Sequence, residues 1–216
     1  MRSLILKDIY NIMHGAKSML LLTIVLTVAI IPLAGLPSYV VANIVIYSMM
    51  VVTTFAFDDN SKWTRYAMVM PITKKEVVRS KFCMLMIFCL LGILSGICFG
   101  IVGGIITQKF SISNTDNISD LIFSGIIGVI ISAICGSINI PLIFKYGSES
   151  ARQLIIVAFV MPTALAFTIY KIGMLLNITI PSEVVSMLKY IAPILIMLFM
   201  YFMYKLSCNI FINKDL

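Results

Sequence analysis

Few residues in this chain could do chemistry, and they are crowded: nine of the 25 charged side chains lie within Asp58–Lys81. The flanking stretches Ser18–Phe57 and Phe82–Gln108 carry no charge at all. A loop of this kind offers recognition through charge and hydrogen bonding rather than catalysis. No H-E-x-x-H motif, Ser/His pair or paired membrane aspartates occur, so no catalytic residue is assigned. The chain has no G-x-x-x-x-G-K-[ST] phosphate loop, so any ATP hydrolysis must belong to another polypeptide. His14, the single histidine, falls on the polar side of its helical pattern and reads as a solvated side chain. Cys83, Cys89, Cys98, Cys135 and Cys208 have no metal-ligand or redox spacing, so they read as small packing residues and no metal site is expected.

The elements that must position the charged loop are membrane helices. Hydrophobic residues make up 61% of the chain, with a mean hydropathy of +1.07. About 20 apolar residues cross the hydrocarbon of a bilayer, and six such spans are predicted. They are Ser18–Leu36, Tyr39–Phe57, Phe82–Thr107, Leu121–Phe144, Gln153–Tyr170 and Lys189–Ser207. Pro37-Ser38 serves as the turn between the first two. Nothing alternates with period two over ten residues, which argues against a barrel. The fold class is therefore all-α, a polytopic membrane protein of one domain covering residues 1–216. Its segments are an interfacial helix over 1–17, two spans over 18–57, a loop over 58–81, four spans over 82–207 and a tail over 208–216.

Orientation follows from Lys and Arg. With the N-terminus in the cytoplasm, thirteen of them fall inside and three outside (Lys109, Lys171 and Lys189). This is a strong positive-inside bias, and it places both termini and the loop 58–81 in the cytoplasm. The net charge of +7 then reports topology and contact with anionic headgroups. Nucleic acid is not an expected partner, because no basic face is interleaved with aromatics. No acidic residue, Lys, Arg or His lies well inside a span, which disfavours a gradient-driven carrier. Pro141 and Pro162 give little support for broken ion-binding helices. A membrane scaffold or immunity protein is the third class left open.

At the N-terminus, Ile5, Ile9, Ile12 and Met13 share one helical side, with Lys7, Asn11, His14 and Lys17 on the other. This pattern predicts an amphipathic helix in the headgroup plane, and no cleavable secretory signal is expected. The third span carries Gly92, Gly96, Gly100 and Gly104 at i+4 spacing, a groove that admits a close neighbour. Ser124, Gly128, Ser132 and Gly136 form a matching ladder on the fourth span. Packing of the two ladders within one subunit is expected, with a subunit–subunit contact as the rival.

Within the loop, Asp59 or Asn60 is predicted to cap a short helix with Trp63, Tyr66, Ala67 and Met70 on one face. Pro71 stops it, and Thr73-Lys-Lys-Glu76 fits a capping box that opens the next helix. Two readings stand for Trp63 and Tyr66: aromatic anchors at headgroup depth, or contacts to another protein.

The acidic pair Asp58-Asp59, then W-x-x-Y at Trp63 and Tyr66, then M-P-I-T-K-K-E-V-V-x-S-K from Met70 to Lys81, resembles the permease subunits of type-2 ABC exporters. The resemblance includes the small bacterial branch that holds permeases of phenol-soluble-modulin exporters. It implies a permease moving an amphipathic peptide or lipophilic compound outward by alternating access. It also implies a dimer, two identical chains being expected, each paired with a separate ABC ATPase that holds Mg-ATP. No cofactor is expected on this chain. The resemblance makes Lys62–Met70 a coupling helix seated in a cleft of the ATPase, with Trp63 and Tyr66 as anchors and Asp59, Lys62, Arg65, Met70 and Pro71 around them. It further implies a path lined by the second and fifth spans. The faces that spacing assigns there are Asn43, Tyr47, Met50 and Thr54, and Phe159, Thr163, Phe167 and Tyr170. A short outside helix starting at Pro181-Ser182-Glu183 is also implied.

Overall fold

The computed structural model describes residues 2–13, 15–70, 72–107, 115–148, 164, 168 and 182–213. Among these the secondary structure is helical, without strands. The helices are α1 (Arg2–Met13), α2 (Ala16–Asn60), α3 (Trp63–Val69), α4 (Lys74–Ile106), α5 (Thr115–Tyr146) and α6 (Ser182–Ile212). Four helices are long and apolar enough to cross a membrane, within α2, α4, α5 and α6. The expected fifth span, Gln153–Tyr170, lies outside the described residues apart from Ala164 and Thr168. Ser182 and Glu183 do not form a separate short helix; they are the first turn of α6.

A straight helix of the length of α2 would reach about 67 Å, more than twice the hydrocarbon thickness. It breaks instead at Gly35, with φ 83° and ψ 174°. That backbone region is essentially restricted to glycine. A proline, locked near φ −65°, cannot supply it, so the reversal falls at Gly35 rather than at the predicted Pro37-Ser38. The chain then folds back on itself. Thr27 Oγ1 donates to Tyr39 Oη at 3.0 Å, and Ser18, Met19 and Leu22 line a small cavity with Ile46, Tyr47 and Met50. In an unbroken helix Met19 and Tyr47 would stand about 42 Å apart. α2 is thus two antiparallel arms, residues 16–34 and 36–60.

The second arm is the hub of the bundle, because small residues on α4 and α5 let it approach both. A Cβ at Gly92 would lie 2.9 Å from the Ile44 Cα, and one at Gly128 would lie 2.8 Å from Ile44 Cδ1. Gly96 faces Asn43, and Gly100 faces Tyr39 and Leu36. Gly103, off the i+4 ladder, seats Thr27 and Ile31 of the first arm. Gly104 is buried on the same helix. The expected packing of the two ladders on each other therefore needs correction: Gly92, Gly96 and Gly100 of α4 and Gly128 of α5 face the second arm. α4 and α5 meet directly lower down, where Leu85 covers Gly136 and Cys89 Sγ lies 3.2 Å from Ser132 Oγ.

Two apolar cores result. One, near Gly35, joins Ile31, Leu36, Tyr39, Val40, Ile44 and Leu121. The other, at the α3 end, gathers Phe55, Val78, Phe82, Leu85, Phe144 and Phe211. Ile5, Ile9 and Ile12 of α1 pack on this second core. The isoleucine side of α1 thus lies against protein, while Leu6, Tyr10 and Met13 stay exposed.

The close approach at Gly92 is testable. Gly92→Ala drives a methyl into backbone, and overpacking of this kind costs about 1–3 kcal/mol. Gly125→Ala meets nothing within 4 Å. In detergent, thermal unfolding should shift down for Gly92→Ala and stay level or rise for Gly125→Ala. Equal shifts would refute the seating of the second arm on α4.

Candidate functional site

The short helix α3 is held at both ends by local chemistry. α2 terminates as Ser61 N–H donates to the Phe57 carbonyl and Lys62 N–H to that of Asp59, each at 3.1 Å. Lys62 then takes φ 51° and ψ 29°, the one non-glycine residue with positive φ among those described. This left-handed conformation costs about 1–2 kcal/mol for a residue with a Cβ. It occupies the N-cap position of α3 with no side-chain hydrogen bond, so neither Asp59 nor Asn60 caps the helix as expected. At the far end Met70 is extended, and the capping box of α4 follows. Glu76 N–H donates to Thr73 Oγ1 at 3.3 Å, and Thr73 N–H donates to Glu76 Oε2 at 3.0 Å.

This entry sets the rotation of α3. Ala67 is 1% exposed, Tyr66 63% and Val69 88%, while Trp63 is half-buried. The predicted single face of Trp63, Tyr66, Ala67 and Met70 is therefore split. Trp63 and Ala67 turn inward, whereas Tyr66, Val69 and Met70 form an exposed apolar face beside exposed Lys62. The Arg65 side chain and Pro71 lie outside the described residues.

Directly behind α3 sits a closed ring of four charges. Lys81 Nζ lies 2.9 Å from Asp8 Oδ2 and 2.6 Å from Asp58 Oδ2. Lys7 Nζ pairs with the other oxygen of each acid: with Asp58 Oδ1, and with Asp8 Oδ1 at 3.2 Å. The Lys7–Asp8 contact is an ion pair without hydrogen-bond alignment. Lys81 also donates to Asp8 Oδ2 and, at 3.1 Å, to Thr54 Oγ1, while its contact with Asp58 is an ion pair. Its ammonium lies 4.8 Å from the Phe55 ring centroid, and that of Lys7 lies 4.5 Å from the Trp63 ring. Asp8, Asp58 and Lys81 are buried and Lys7 is partly exposed. The ring is electrically neutral and joins α1, the second arm and α4, touching α3 through Trp63.

Two further ties converge here. Asp59 Oδ2 accepts the Ser148 N–H at 2.9 Å, which Gly147 permits by ending α5 at φ 83°. Lys74 Nζ donates to the Ile212 carbonyl at 3.0 Å, where a cation also complements the C-terminal dipole of α6. The ends of all the long helices described are thus bound to the segment 58–81.

The face of the second arm expected to line a path is engaged within the subunit. Asn43 is fully buried, its Nδ2 donating to the Gly92 carbonyl at 3.0 Å and to Ser95 Oγ at 2.9 Å. Thr54 serves Lys81, Tyr47 is buried, and Met50 packs on the core of the α3 end. Asn43 and Thr54 thus tie the second arm to α4, while Tyr47 and Met50 also line the small cavity against the first arm. Phe159, Thr163, Phe167 and Tyr170 lie outside the described residues.

A family model described as ABC-2 family transporter protein matches residues 3–212, from α1 to the end of α6. The chain belongs to that family. No curated protein and no solved structure matches it. An ABC-2 permease is the membrane component of an ABC transporter rather than its ATPase, and membership implies a partner ATPase subunit. Within this permease the sequence reading named the loop but missed the ring. Lys7 reads as a solvated charge, and Asp8 passes unassigned. Asp8 nevertheless stands in the stripe of Ile5, Ile9 and Ile12, and Lys81 among Val77, Val78, Phe82 and Leu85. A charge inside an apolar stripe is the signal of a buried partner.

Breaking one member of a buried ionic network commonly costs about 3–5 kcal/mol, because the remaining charges lose compensation. Lys81→Met should destabilise the ABC-2 permease in detergent by roughly that amount. Adding Asp8→Asn restores neutrality and should recover a good part of the loss. A single variant that unfolds with the wild type would show that the ring carries no stability.

Proposed function

We propose that this ABC-2 permease belongs to an ATP-driven exporter, working as a dimer in the bacterial cytoplasmic membrane, with α3 as the element its ATPase grips. One observation carries this reading: Tyr66, Val69 and Met70 form an exposed apolar face on a helix fixed at both ends to the bases of the membrane helices. A surface helix with no partner has no reason to be held so firmly or to present three large apolar side chains to water. Those side chains replace Trp63 as the proposed anchors, with Tyr66 at the centre. Lys62 and Arg65 supply the basic rim, while Asp59 and Pro71 shape the ends of the loop.

Topology supports the six crossings. α5 and α6 both finish at the α3 end, through Ser148 on Asp59 and Ile212 on Lys74. This agrees with the crossing we propose over Gln153–Tyr170. The Lys and Arg asymmetry supports a cytoplasmic α3 end and cytoplasmic termini. The cargo we propose is an amphipathic peptide or lipophilic compound, as in the phenol-soluble-modulin branch. An apolar cavity of about 430 Å³ between α4, α5 and α6, lined by Met86, Ile97, Ile126 and Met197 among others, is compatible with such a cargo. Mg-ATP on the paired ATPase subunits would move the two α3 helices, and the bundles would tilt as rigid bodies to alternate access.

Truncating buried aromatic anchors commonly costs about 2 kcal/mol or more, roughly thirty-fold in affinity. Tyr66→Ala with Met70→Ala should leave the permease inserted and dimeric but weaken its capture of the ATPase by that factor. Co-purification at wild-type stoichiometry from dilute detergent extracts would rule out α3 as the docking helix.

A further inference from the structure

The charged ring is closed but not symmetric, and the asymmetry singles out one member. The Lys81 ammonium lies against both carboxylates, donates to Thr54, and belongs to a side chain that is 3% exposed. The Lys7 side chain is 24% exposed, sits at the rim, and directs its ammonium to both carboxylates and to the Trp63 ring. Trp63 is the first residue of α3 and follows directly on the left-handed reversal at Lys62. With Trp63 drawn inward, Ala67 follows it one turn later, and Tyr66, Val69 and Met70 are left facing out. The Lys7 cation thus lies beneath the first turn of α3, beside the reversal at Lys62 that sets the helix's rotation.

We propose that Lys7 is a positioning residue: from the N-terminal helix it holds in place, through Trp63, the rotation that Lys62 gives α3 and, through Asp8 and Asp58, ties that rotation to Lys81 on α4. The first part concerns this chain alone, and the coupling part rests on the docking role proposed for α3. α1 is then a strut of the transmission path. A push on α3 reaches α4 through an ammonium–indole contact and two carboxylates, all within a few ångströms. A membrane anchor would leave α3 indifferent to Lys7; a strut makes α3 depend on it.

Trp63 is the only tryptophan in the chain, so its emission reports this contact without a label. In purified permease in phosphatidylglycerol/phosphatidylethanolamine nanodiscs, Lys7→Gln should about double the acrylamide quenching of Trp63, as the ring loses its cover. Lys7→Arg keeps charge and ring contact and should restore wild-type quenching. If Lys7→Gln alone disturbs folding, the pair Lys7→Gln with Asp8→Asn keeps the ring neutral and still frees Trp63. In the reconstituted complex, Lys7→Gln should lower permease-dependent ATP turnover roughly tenfold, with rescue by Lys7→Arg. Unchanged quenching in the neutral pair would overturn the positioning role. Raised quenching with wild-type turnover would overturn the transmission role. A wild-type permease that binds no ATPase would defeat the docking reading and with it the transmission role, while the quenching arm would still decide the Lys7–Trp63 contact.

Discussion

Three buried charges, closed into a ring by a fourth at their rim, are the constraint at one end of this membrane bundle from which the rest of the structure follows. Taking an ammonium or carboxylate out of water costs several kcal/mol even after relaxation, and only close, complete pairing offsets it. Here each carboxylate gives one oxygen to each lysine, so the ring Lys7–Asp58–Lys81–Asp8 is neutral and closed. Its members come from three elements far apart in sequence. α1 must dock, the second arm must end, and α4 must begin at the same place and height. The apolar core beneath, with Phe55, Phe82 and Ile5, Ile9 and Ile12, consolidates that meeting but does not fix its register.

Towards Gly35 a different physics takes over. Lipid offers no hydrophobic incentive for apolar helices to associate, so closeness of approach decides which ones pack. The second arm enters between two small-residue faces, with Ile44 reaching both Gly92 and Gly128. Asn43 adds two hydrogen bonds to α4 in a setting where water does not compete. The bundle is accordingly firm around the second arm. A firm bundle of that kind is what the proposed rigid tilting would need.

Local chemistry was legible in the residues, and long-range choice was not. Thr73-x-x-Glu76 announced its capping box because every participant lies within one turn. Uncharged runs mark the long apolar helices α2 and α4, and the Gly35 break lies two residues from the predicted turn. The partner of the glycine ladder was misjudged because two equally smooth faces existed and sequence spacing does not say which helix fills them. The α3 face was misjudged because its rotation is set by the positive φ of Lys62, and nothing in a lysine signals that conformation. Asn43 and Thr54 read as polar lining, yet in an apolar bundle the same residue types bond helices together. Lys7 and Asp8 were overlooked because a surface helix is expected to keep its charges in water.

The account stands or falls on what α3 meets in the membrane. A photoreactive benzoylphenylalanine at Tyr66, irradiated in native membranes, should form a covalent adduct with a nucleotide-binding subunit. The same group at Val28, exposed on the first arm, should yield lipid adducts. A Tyr66 probe that captures only lipid, in membranes that contain the ATPase, would contradict the assignment of α3 as the docking helix.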